Sequence, residues 1–347
     1  YLFIEERINR MCKRNQTLLS QANSCKGSEK QIVSTPPSLF RWCLGLLCAS
    51  TFTMAYVLTP PYILSAVVLL LLGYPSGNVA FLYALPLVIS MLTPARPIPD
   101  LVGLFSPMLD YFQYEQIIES EDELRKNFDQ GKNYIFATQP HGVLSMCAMC
   151  SSIHSDPKYR RISTAVASSL LTFPILKHII GIFTLCDASA ASLRKVLKRP
   201  GIEGTVVIYI GGIAELFKSS RDEERLHLSS RKGFIKLALR EGVDIVPVYL
   251  FGNTSILSVL RNKYLERISR KMQVSFTIFW GKFYLPIPRD DKLLYVAGAP
   301  ITIPKISNPT QSDLDKYHEH YCEEIKRIFE TYKHKIPLYQ NKTLIID

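Results

Sequence analysis

The sequence predicts a globular α/β domain that follows an apolar membrane segment. Two observations carry this prediction. No Asp, Glu, Lys or Arg occurs from Trp42 to Ala95, a stretch of 54 residues that no soluble domain surface resembles. From about Arg96 onward, short runs of β-forming residues alternate with amphipathic helical patterns. We therefore divide the chain into a basic cytosolic arm at 1–38, a membrane segment at 39–95 and a catalytic-type domain at 96–347.

The net charge of +11 is compatible with a nucleic acid partner or with an anionic membrane surface. The basic residues are scattered along the chain, and they accompany a charge-free segment, so the bilayer is favoured and no nucleic acid partner is expected. Arg41 and Arg96 lie at the two ends of the apolar segment. By the positive-inside tendency both ends face the cytosol, which favours an even number of crossings.

The membrane segment is divided by turn-forming residues. Residues 39–58 suffice for a helix of roughly 30 Å, enough to span a bilayer. Thr59-Pro60-Pro61 is expected to break this helix, and further apolar stretches follow at 62–74 and 79–92. The pattern fits a transmembrane hairpin or one span followed by a re-entrant segment.

The domain alternates predicted strands and helices. The predicted strands are Tyr134–Thr138, Ser163–Ala167, Thr205–Ile210, Asp244–Phe251, Val274–Phe279 and Leu293–Ala297. The predicted helices are Glu121–Asp129, Leu144–Ser152, Ser189–Leu197, Arg231–Arg240 and a final amphipathic helix from Leu314 to Tyr332. His318 and His320 fall on that last helix and are expected to be solvated.

Several catalytic motifs are absent from the sequence. It has no G-x-S-x-G nucleophile elbow, no H-E-x-x-H zinc motif and no phosphate-binding glycine loop. The eight cysteines, including Cys147 and Cys150, show no disulfide spacing and are expected to be buried and reduced. Three N-x-S/T sequons, at Asn15, Asn253 and Asn341, would require a lumenal face, which the charge bias disfavours. We expect no metal and no cofactor.

Three strand ends punctuated by glycine could carry chemistry. Gln139-Pro140-His141-Gly142 follows the first strand, where His141 could serve as a base and backbone N–H groups near Gly142 could bind an oxyanion; an ordinary turn is the alternative. Gly211-Gly212 and then Glu215 follow another strand, where the acid could orient a histidine or be a solvated loop residue. Arg231 and Lys232 open a helix, where they could bind an anion such as a CoA phosphate or be solvated.

Taken together, these stretches resemble one enzyme family. Pro-His-Gly, EGTVVIYIGGIAE (203–215), SSRKGFIKLALREGVDIVPVYLFGN (229–253) and VAGAPITIPKISNPTQSDLDKYHEHY (296–321) occur in the order seen in type-2 diacylglycerol and monoacylglycerol acyltransferases. The resemblance covers about residues 39–347. It implies a glycerolipid-acyltransferase-like α/β sandwich with a central mixed sheet, preceded by an N-terminal hydrophobic membrane hairpin.

The resemblance also implies a reaction and a site. The enzyme would transfer a fatty acyl group from acyl-CoA, its co-substrate, to diacylglycerol or monoacylglycerol at the endoplasmic reticulum membrane or on lipid droplets; a homo-oligomer is compatible with it. His141 and Glu215 would be catalytic, and Gln139, Pro140 and Gly142 would form the oxyanion turn. Acyl-CoA would bind at Gly211, Gly212, Arg231, Lys232, Gly233 and Phe234.

Two departures from the family pattern keep alternatives open. Gln139 stands where the family has the first histidine of His-Pro-His-Gly, and glutamine cannot act as a base. Met146 stands where related acyltransferases have an aspartate four residues beyond the motif. A catalytically inactive lipid-binding homologue, a wax-ester synthase that uses fatty alcohols, and a soluble thioesterase are the alternatives.

Overall fold

A computed structural model describes residues 38–74, 76–212, 215, 217, 221, 223–272 and 277–347. The predicted basic arm lies outside these residues except for Ser38, whose side chain caps the first helix by accepting a hydrogen bond from the Arg41 N–H. The helices of this part of the chain are α1 (Leu39–Leu72), α2 (Gly77–Leu92), α3 (Pro99–Val102), α4 (Pro107–Tyr111), α5 (Glu121–Asp129), α6 (Met146–His154), α7 (Ser168–Thr172), α8 (Leu176–Ile180), α9 (Ala190–Leu197), α10 (Gly233–Glu241), α11 (Lys263–Met272) and α12 (Gln311–Tyr332).

Helix α1 runs through the two prolines at which a break was predicted. Its 34 residues continue past Pro60 and Pro61 to Leu72, where Gly73 adopts the left-handed conformation. Each proline removes only one N–H donor, and a helix in apolar surroundings tolerates this loss where neighbouring groups compensate. The Thr59 hydroxyl donates to the Ala55 carbonyl at 2.6 Å, within the same turn. The predicted break is therefore wrong.

The first half of α1 packs against the globular body, and the second half packs against α2. Gly45 approaches so closely that a Cβ there would lie 2.3 Å from the Pro107 carbonyl oxygen of α4. In the second half, Tyr62 donates a hydrogen bond to the Tyr83 carbonyl of α2. In the described part of the chain α1 is the one helix long and apolar enough to cross a bilayer, because α2 has 16 residues. The membrane hairpin stays a prediction.

A mixed sheet forms the centre of the domain. Within the described residues it has seven strands, which lie in the order β1 (Glu115–Ile118), β10 (Leu294–Ala297), β7 (Asp244–Phe251), β2 (Tyr134–Gln139), β5 (Val206–Tyr209), β3 (Ser163–Val166) and β4 (Leu185–Asp187). Strands β7, β2, β5, β3 and β4 are parallel, whereas β10 is antiparallel to β7 and β1 pairs with β10. The other described strands are β6 (Glu224–Leu226), β8 (Ser258–Val259), β9 (Phe279–Trp280) and β11 (Leu344–Ile346).

Two hydrophobic layers cover the sheet. Phe136 and Val248 face one layer, together with Phe52 of α1 and the buried side of α6. Ile135 and Tyr249 face the other, which α9, α10 and α12 complete. Alternate residues of a strand point to opposite faces, so the buried strands β2 and β7 supply side chains to both layers. The predicted α/β architecture with a central mixed sheet is confirmed.

One prediction about local structure is tested only in part, and another is wrong. In the predicted strand at 274–279, residues 274–276 lie outside the described part, and Phe279–Trp280 pairs with Ser258–Val259 away from the central sheet. His318 is buried rather than solvated, because its ring nitrogen Nε2 lies 3.0 Å from the Leu228 carbonyl oxygen under α12. His320 is half-exposed.

Candidate active site

Three loops meet at the carboxyl edge of the sheet. Strand β2 lies between β5 and β7, and all three are parallel, so their following loops lie side by side. The loop after β2 carries His141 and Gly142. Gly142 has a φ of +63°, and a Cβ there would lie 2.7 Å from the Asn253 carbonyl oxygen. Because of both constraints this position requires glycine.

The His141 ring is held as a neutral imidazole with one nitrogen available. Its Nδ1 lies 2.9 Å from the Gly142 carbonyl oxygen. A carbonyl can only accept, so Nδ1 carries the hydrogen and Nε2 keeps its lone pair. The edge of the ring also contacts Tyr209, with centroids 4.6 Å apart. Burial lowers the pKa of His141, against the opposing effect of the bond to Gly142, so the ring is a neutral base at pH 7.

The Glu215 carboxylate contacts the backbone of His141 and not its ring. The carboxylate is 1% exposed, and Oε2 accepts the His141 backbone N–H at 2.9 Å. The sequence left open an acid that orients a histidine and a solvated loop residue; the carboxylate is buried, and it holds the loop at the His141 N–H. Gly211 permits this arrangement, because a Cβ there would lie 2.3 Å from the Glu215 carboxyl carbon.

Burial also changes the protonation of Glu215. It raises the pKa of this carboxyl to about 7, and the charge of Glu224 adds to the effect. The hydrogen bond from His141 and the positive charge of Arg231 act in the opposite direction. Close to neutral pH the carboxyl therefore exchanges a proton while it holds the catalytic loop.

We expect this raised pKa to make stability depend on pH. The folded protein binds this proton more tightly than the unfolded chain does. The free energy of unfolding therefore falls as pH rises from about 4.5 to about 7, and above pH 7 this carboxyl changes it no further. Glu215→Gln retains an acceptor for the His141 N–H and removes the effect, which is on the order of 2 kcal/mol. Thermal unfolding of detergent-purified chain at pH 5 and pH 7.5 measures it. The exposed Glu319→Gln is the control, and an equal pH response in wild type and Glu215→Gln would contradict the assignment.

Asn253 joins both ends of the histidine loop. From the sequence alone this residue was predicted only as part of a sequon. It is 1% exposed and lies two residues after the end of β7 at Phe251. Its Nδ2 donates to the carbonyls of His141 (2.5 Å) and Pro140 (3.2 Å), and its Oδ1 accepts the Cys147 N–H at 3.1 Å. The signal for this residue was its place after a buried strand parallel to β2.

Gln139 lies at the end of β2 opposite Tyr249. It is fully buried, and neither atom of its side-chain amide has a hydrogen-bond partner within the described structure. A buried amide without partners costs about 1–3 kcal/mol. Gln139 thus holds a position in the fold without contacting the reacting group.

We expect Gln139→Met to raise the thermal unfolding midpoint by about 2–4 °C. Methionine has a similar volume and needs no partner, and His141 keeps all its contacts, so acyl transfer should be retained. Differential scanning fluorimetry in detergent measures the midpoint, and the exposed Gln340→Met is the matched control. A lower midpoint for Gln139→Met would show that the amide is paired in the protein.

A cavity of about 950 Å³ opens beside His141 and Gly212. This volume is at the upper end of the range of roughly 300–1,000 Å³ for ligand sites. Its wall is largely apolar and includes Phe52, Tyr56, Leu144, Met149, Leu170 and Phe173. Because Phe52 and Tyr56 belong to α1, the apolar helix forms part of the cavity wall. Gly212 has a φ of +59°, and a Cβ there would meet nothing within 4 Å.

The segment Arg231–Phe234 lies on the other face of the sheet. Lys232 pairs with Asp315 of α12 at 2.5 Å, and Phe234 is buried against Tyr321. Arg231 and Gly233 are exposed. The wall of the cavity at His141 includes none of these four residues among those described. The structure thus brings Arg231 close enough to act on Glu215, but it does not bring the segment to the cavity.

The thiols near the histidine are not nucleophiles. Cys147 and Cys150 are buried in α6 as free cysteines, and burial raises the pKa of both thiols. No group of three or more His, Cys, Asp or Glu side chains that could hold a metal ion occurs among the residues described. His141 is the candidate group for proton transfer.

A neutral histidine beside an apolar cavity is a candidate general base that acts on an apolar substrate. The chain belongs to the diacylglycerol acyltransferase family, whose model matches residues 78–347. The family resemblance of the motifs is confirmed.

Curated relatives have similar sequences. Diacylglycerol O-acyltransferase 2 of Danio rerio is 31% identical over 258 residues, which cover 69% of this chain and 70% of that protein. The protein of the same name in Homo sapiens is 30% identical over 257 residues, covering 69% of this chain and 65% of the human one. The Dictyostelium discoideum relative is 31% identical over 65% of this chain and 71% of its own length.

One solved structure is similar at a lower level. The 1-acyl-sn-glycerophosphate acyltransferase PlsC from Thermotoga maritima superposes with a TM-score of 0.40 and 14% identity, over 84% of this chain and 97% of that one. A similarity of this size assigns neither fold nor function.

Proposed function

We propose that the protein is an acyl-CoA-dependent diacylglycerol O-acyltransferase that forms triacylglycerol. One observation carries the proposal: in a member of this family, Nε2 of a neutral His141 is available beside a cavity of about 950 Å³. The relatives named diacylglycerol O-acyltransferase 2 support the reaction. The largely apolar wall of the cavity suits an acyl chain.

In the proposed mechanism His141 is the base and then the acid. Its Nε2 accepts the proton of the diacylglycerol hydroxyl while that oxygen attacks the thioester carbonyl. The tetrahedral intermediate collapses, the carbon–sulfur bond breaks, and the imidazolium returns its proton to the CoA thiolate. Triacylglycerol and CoA are the products, and the histidine is again neutral.

The loop supplies the other groups of the mechanism. Glu215 and Asn253 already occupy the N–H groups of His141 and Cys147. The backbone amides of Gly142, Val143, Leu144 and Ser145 are the donors we assign to the developing oxyanion, because the Met146 N–H already donates to the Leu144 carbonyl at 2.8 Å. A Glu215 carboxylate so close to the loop also stabilises the imidazolium electrostatically. The acyl-CoA phosphates would lie near Arg231 at the same edge of the sheet.

We further propose the endoplasmic reticulum membrane as the location, with the catalytic domain in the cytosol and access to lipid droplets. Arg41 at the beginning of α1 supports this orientation by the positive-inside tendency. Both substrates would then reach the cavity beside α1, diacylglycerol from the bilayer and acyl-CoA from the cytosol. A hairpin of α1 and α2 is the membrane arrangement that we favour.

An acceptor competition tests the proposed reaction. Microsomes that contain the protein receive labelled oleoyl-CoA with diacylglycerol, monoacylglycerol or a long-chain alcohol, and the lipid products are separated. We expect triacylglycerol to form fastest. A dominant wax ester, or no product from any acceptor, would contradict the proposal and favour the wax-ester synthase or the inactive homologue.

A further inference from the structure

A second apolar surface lies outside α1 and α2. Phe283 is 75% exposed and Tyr284 is 87% exposed, and both have a positive φ, +56° and +58°. Hydrogen bonds close this turn, from the Gly281 N–H to the Leu285 carbonyl at 2.7 Å and from the Lys282 N–H to the Ile287 carbonyl at 2.8 Å. The two rings are therefore held outward by an ordered backbone.

Helix α11 adds further exposed apolar side chains and positive charge, and the Leu260 N–H just before it donates to the Ile278 carbonyl before the turn at 2.8 Å. Tyr264 (74% exposed) and Ile268 (48% exposed) are four residues apart and share a face of the helix. Residues 261–272 contain five Lys or Arg and one acidic residue, Glu266. We call Tyr264, Ile268, Ile278, Phe283, Tyr284 and Leu285 the aromatic patch; every one of them is at least 48% exposed.

The aromatic patch lies beside the first half of α1. Phe279 contacts Tyr56 of α1, with ring centroids 6.1 Å apart. The Lys282 ammonium lies 4.5 Å from the centroid of the Trp42 ring, near the basic end of α1. Lys282 is buried there and pairs with Asp290 at 2.8 Å, so these two contacts fix the turn against α1. The exposed rings of Phe283 and Tyr284 thus stand beside the segment that we place in the membrane.

We propose that the aromatic patch is an interfacial docking surface that seats the catalytic domain on a lipid surface with anionic headgroups. The aromatic and aliphatic side chains would enter the headgroup boundary, while the basic residues of α11 pair with the headgroups. A lipid surface is favoured as the occupant because the patch combines exposed rings with positive charge and adjoins α1. The proposal rests on the membrane location proposed above and adds a second contact to it.

Tryptophan depth probes test this surface in the full chain. Tyr284→Trp is reconstituted into vesicles of phosphatidylcholine with about one third phosphatidylserine, with and without lipids brominated near the headgroup. The parent chain already has two tryptophans, so the emission of the added one is obtained by subtracting the emission of the parent chain. We expect brominated lipid to lower it about two-fold, and less so without phosphatidylserine.

Two further probes separate the outcomes. His320→Trp on α12, on the face of the sheet opposite α1, should be unaffected by brominated lipid. Leu82→Trp on the exposed side of α2 should be quenched if α2 is embedded. Quenching at 82 without quenching at 284 would overturn the docking surface and leave the membrane location intact. Absence of quenching at both positions would overturn both proposals.

Discussion

Replacing His141 with glutamine is expected to lower the rate of triacylglycerol formation by about 10²–10⁴-fold. Glutamine can still donate to the Gly142 carbonyl, which the His141 ring contacts through Nδ1 at 2.9 Å. It cannot accept the proton of the attacking hydroxyl, because an amide is not a base at neutral pH. Initial rates with labelled oleoyl-CoA and diacylglycerol in reconstituted vesicles measure the loss.

The chain offers a matched control in the same cavity. His154 also lines the cavity but lies at the end of α6, where its ring contacts Tyr114. His154→Gln should therefore retain a rate within a few-fold of the wild type, because it removes a histidine without removing the base. Equal losses in both variants would indicate that the cavity, and not the base, was damaged. A near-normal rate for His141→Gln in vesicles would contradict the mechanism.

The pH dependence of the rate gives a second test of the same residue. Burial lowers the pKa of His141 below its ordinary value of 6.5, so the active neutral form persists to lower pH than for a solvated histidine. In wild type, protonation of Glu215, whose pKa is raised to about 7, should lower the rate somewhat below neutral pH, and the main fall should come as pH drops through the lowered pKa of His141. Glu215→Gln has no carboxyl to titrate, so its rate should be flat between that value and neutrality. A rate of Glu215→Gln that falls already above pH 6.5 would assign the base to another group.

The sequence was sufficient for the centre of the sheet. Strand β7 and helix α5 have the predicted bounds, because an uninterrupted apolar run and an amphipathic pattern each indicate one structure. Short strands with mixed polarity were missed. Glu224–Leu226 is a strand because it pairs with Leu344–Ile346, more than a hundred residues later, and no local pattern contains that partner.

The residues of the site likewise fall into those that a local sequence pattern predicts and those whose contacts depend on distant parts of the chain. His141 and the glycines could be predicted, since a strand followed by glycine indicates a turn at a sheet edge. The atom that Glu215 contacts could not, because the backbone of two separate loops sets the distance to the His141 N–H. The contacts of Asn253 could not be predicted, because its side chain reaches the histidine loop only when β7 lies beside β2.

Replacing Asn253 with alanine is expected to disrupt the histidine loop. Three hydrogen bonds disappear, and the carbonyls of Pro140 and His141 and the Cys147 N–H lose their partner. Each buried backbone group left without a partner costs about 1–3 kcal/mol, so a lower unfolding midpoint and at least about a tenfold loss of kcat should appear together. The exposed Asn308→Ala, which has no such contacts, is the control.

A second substitution separates positioning from overall stability. Gly142→Ala places a Cβ 2.7 Å from the Asn253 carbonyl oxygen and 2.8 Å from its Nδ2 at a φ of +63°, so it moves the loop although the Asn253 amide is still present. If the loop geometry sets the rate, both variants lose kcat while the KM for acyl-CoA changes little, and both retain folded, membrane-bound protein at low temperature. A folded Asn253→Ala with wild-type kcat would show that the three hydrogen bonds serve stability alone. We expect a loss of kcat, because Asn253 donates to the His141 carbonyl and Glu215 accepts the His141 N–H, so both side chains position the base. The base must reach the hydroxyl proton within hydrogen-bond distance.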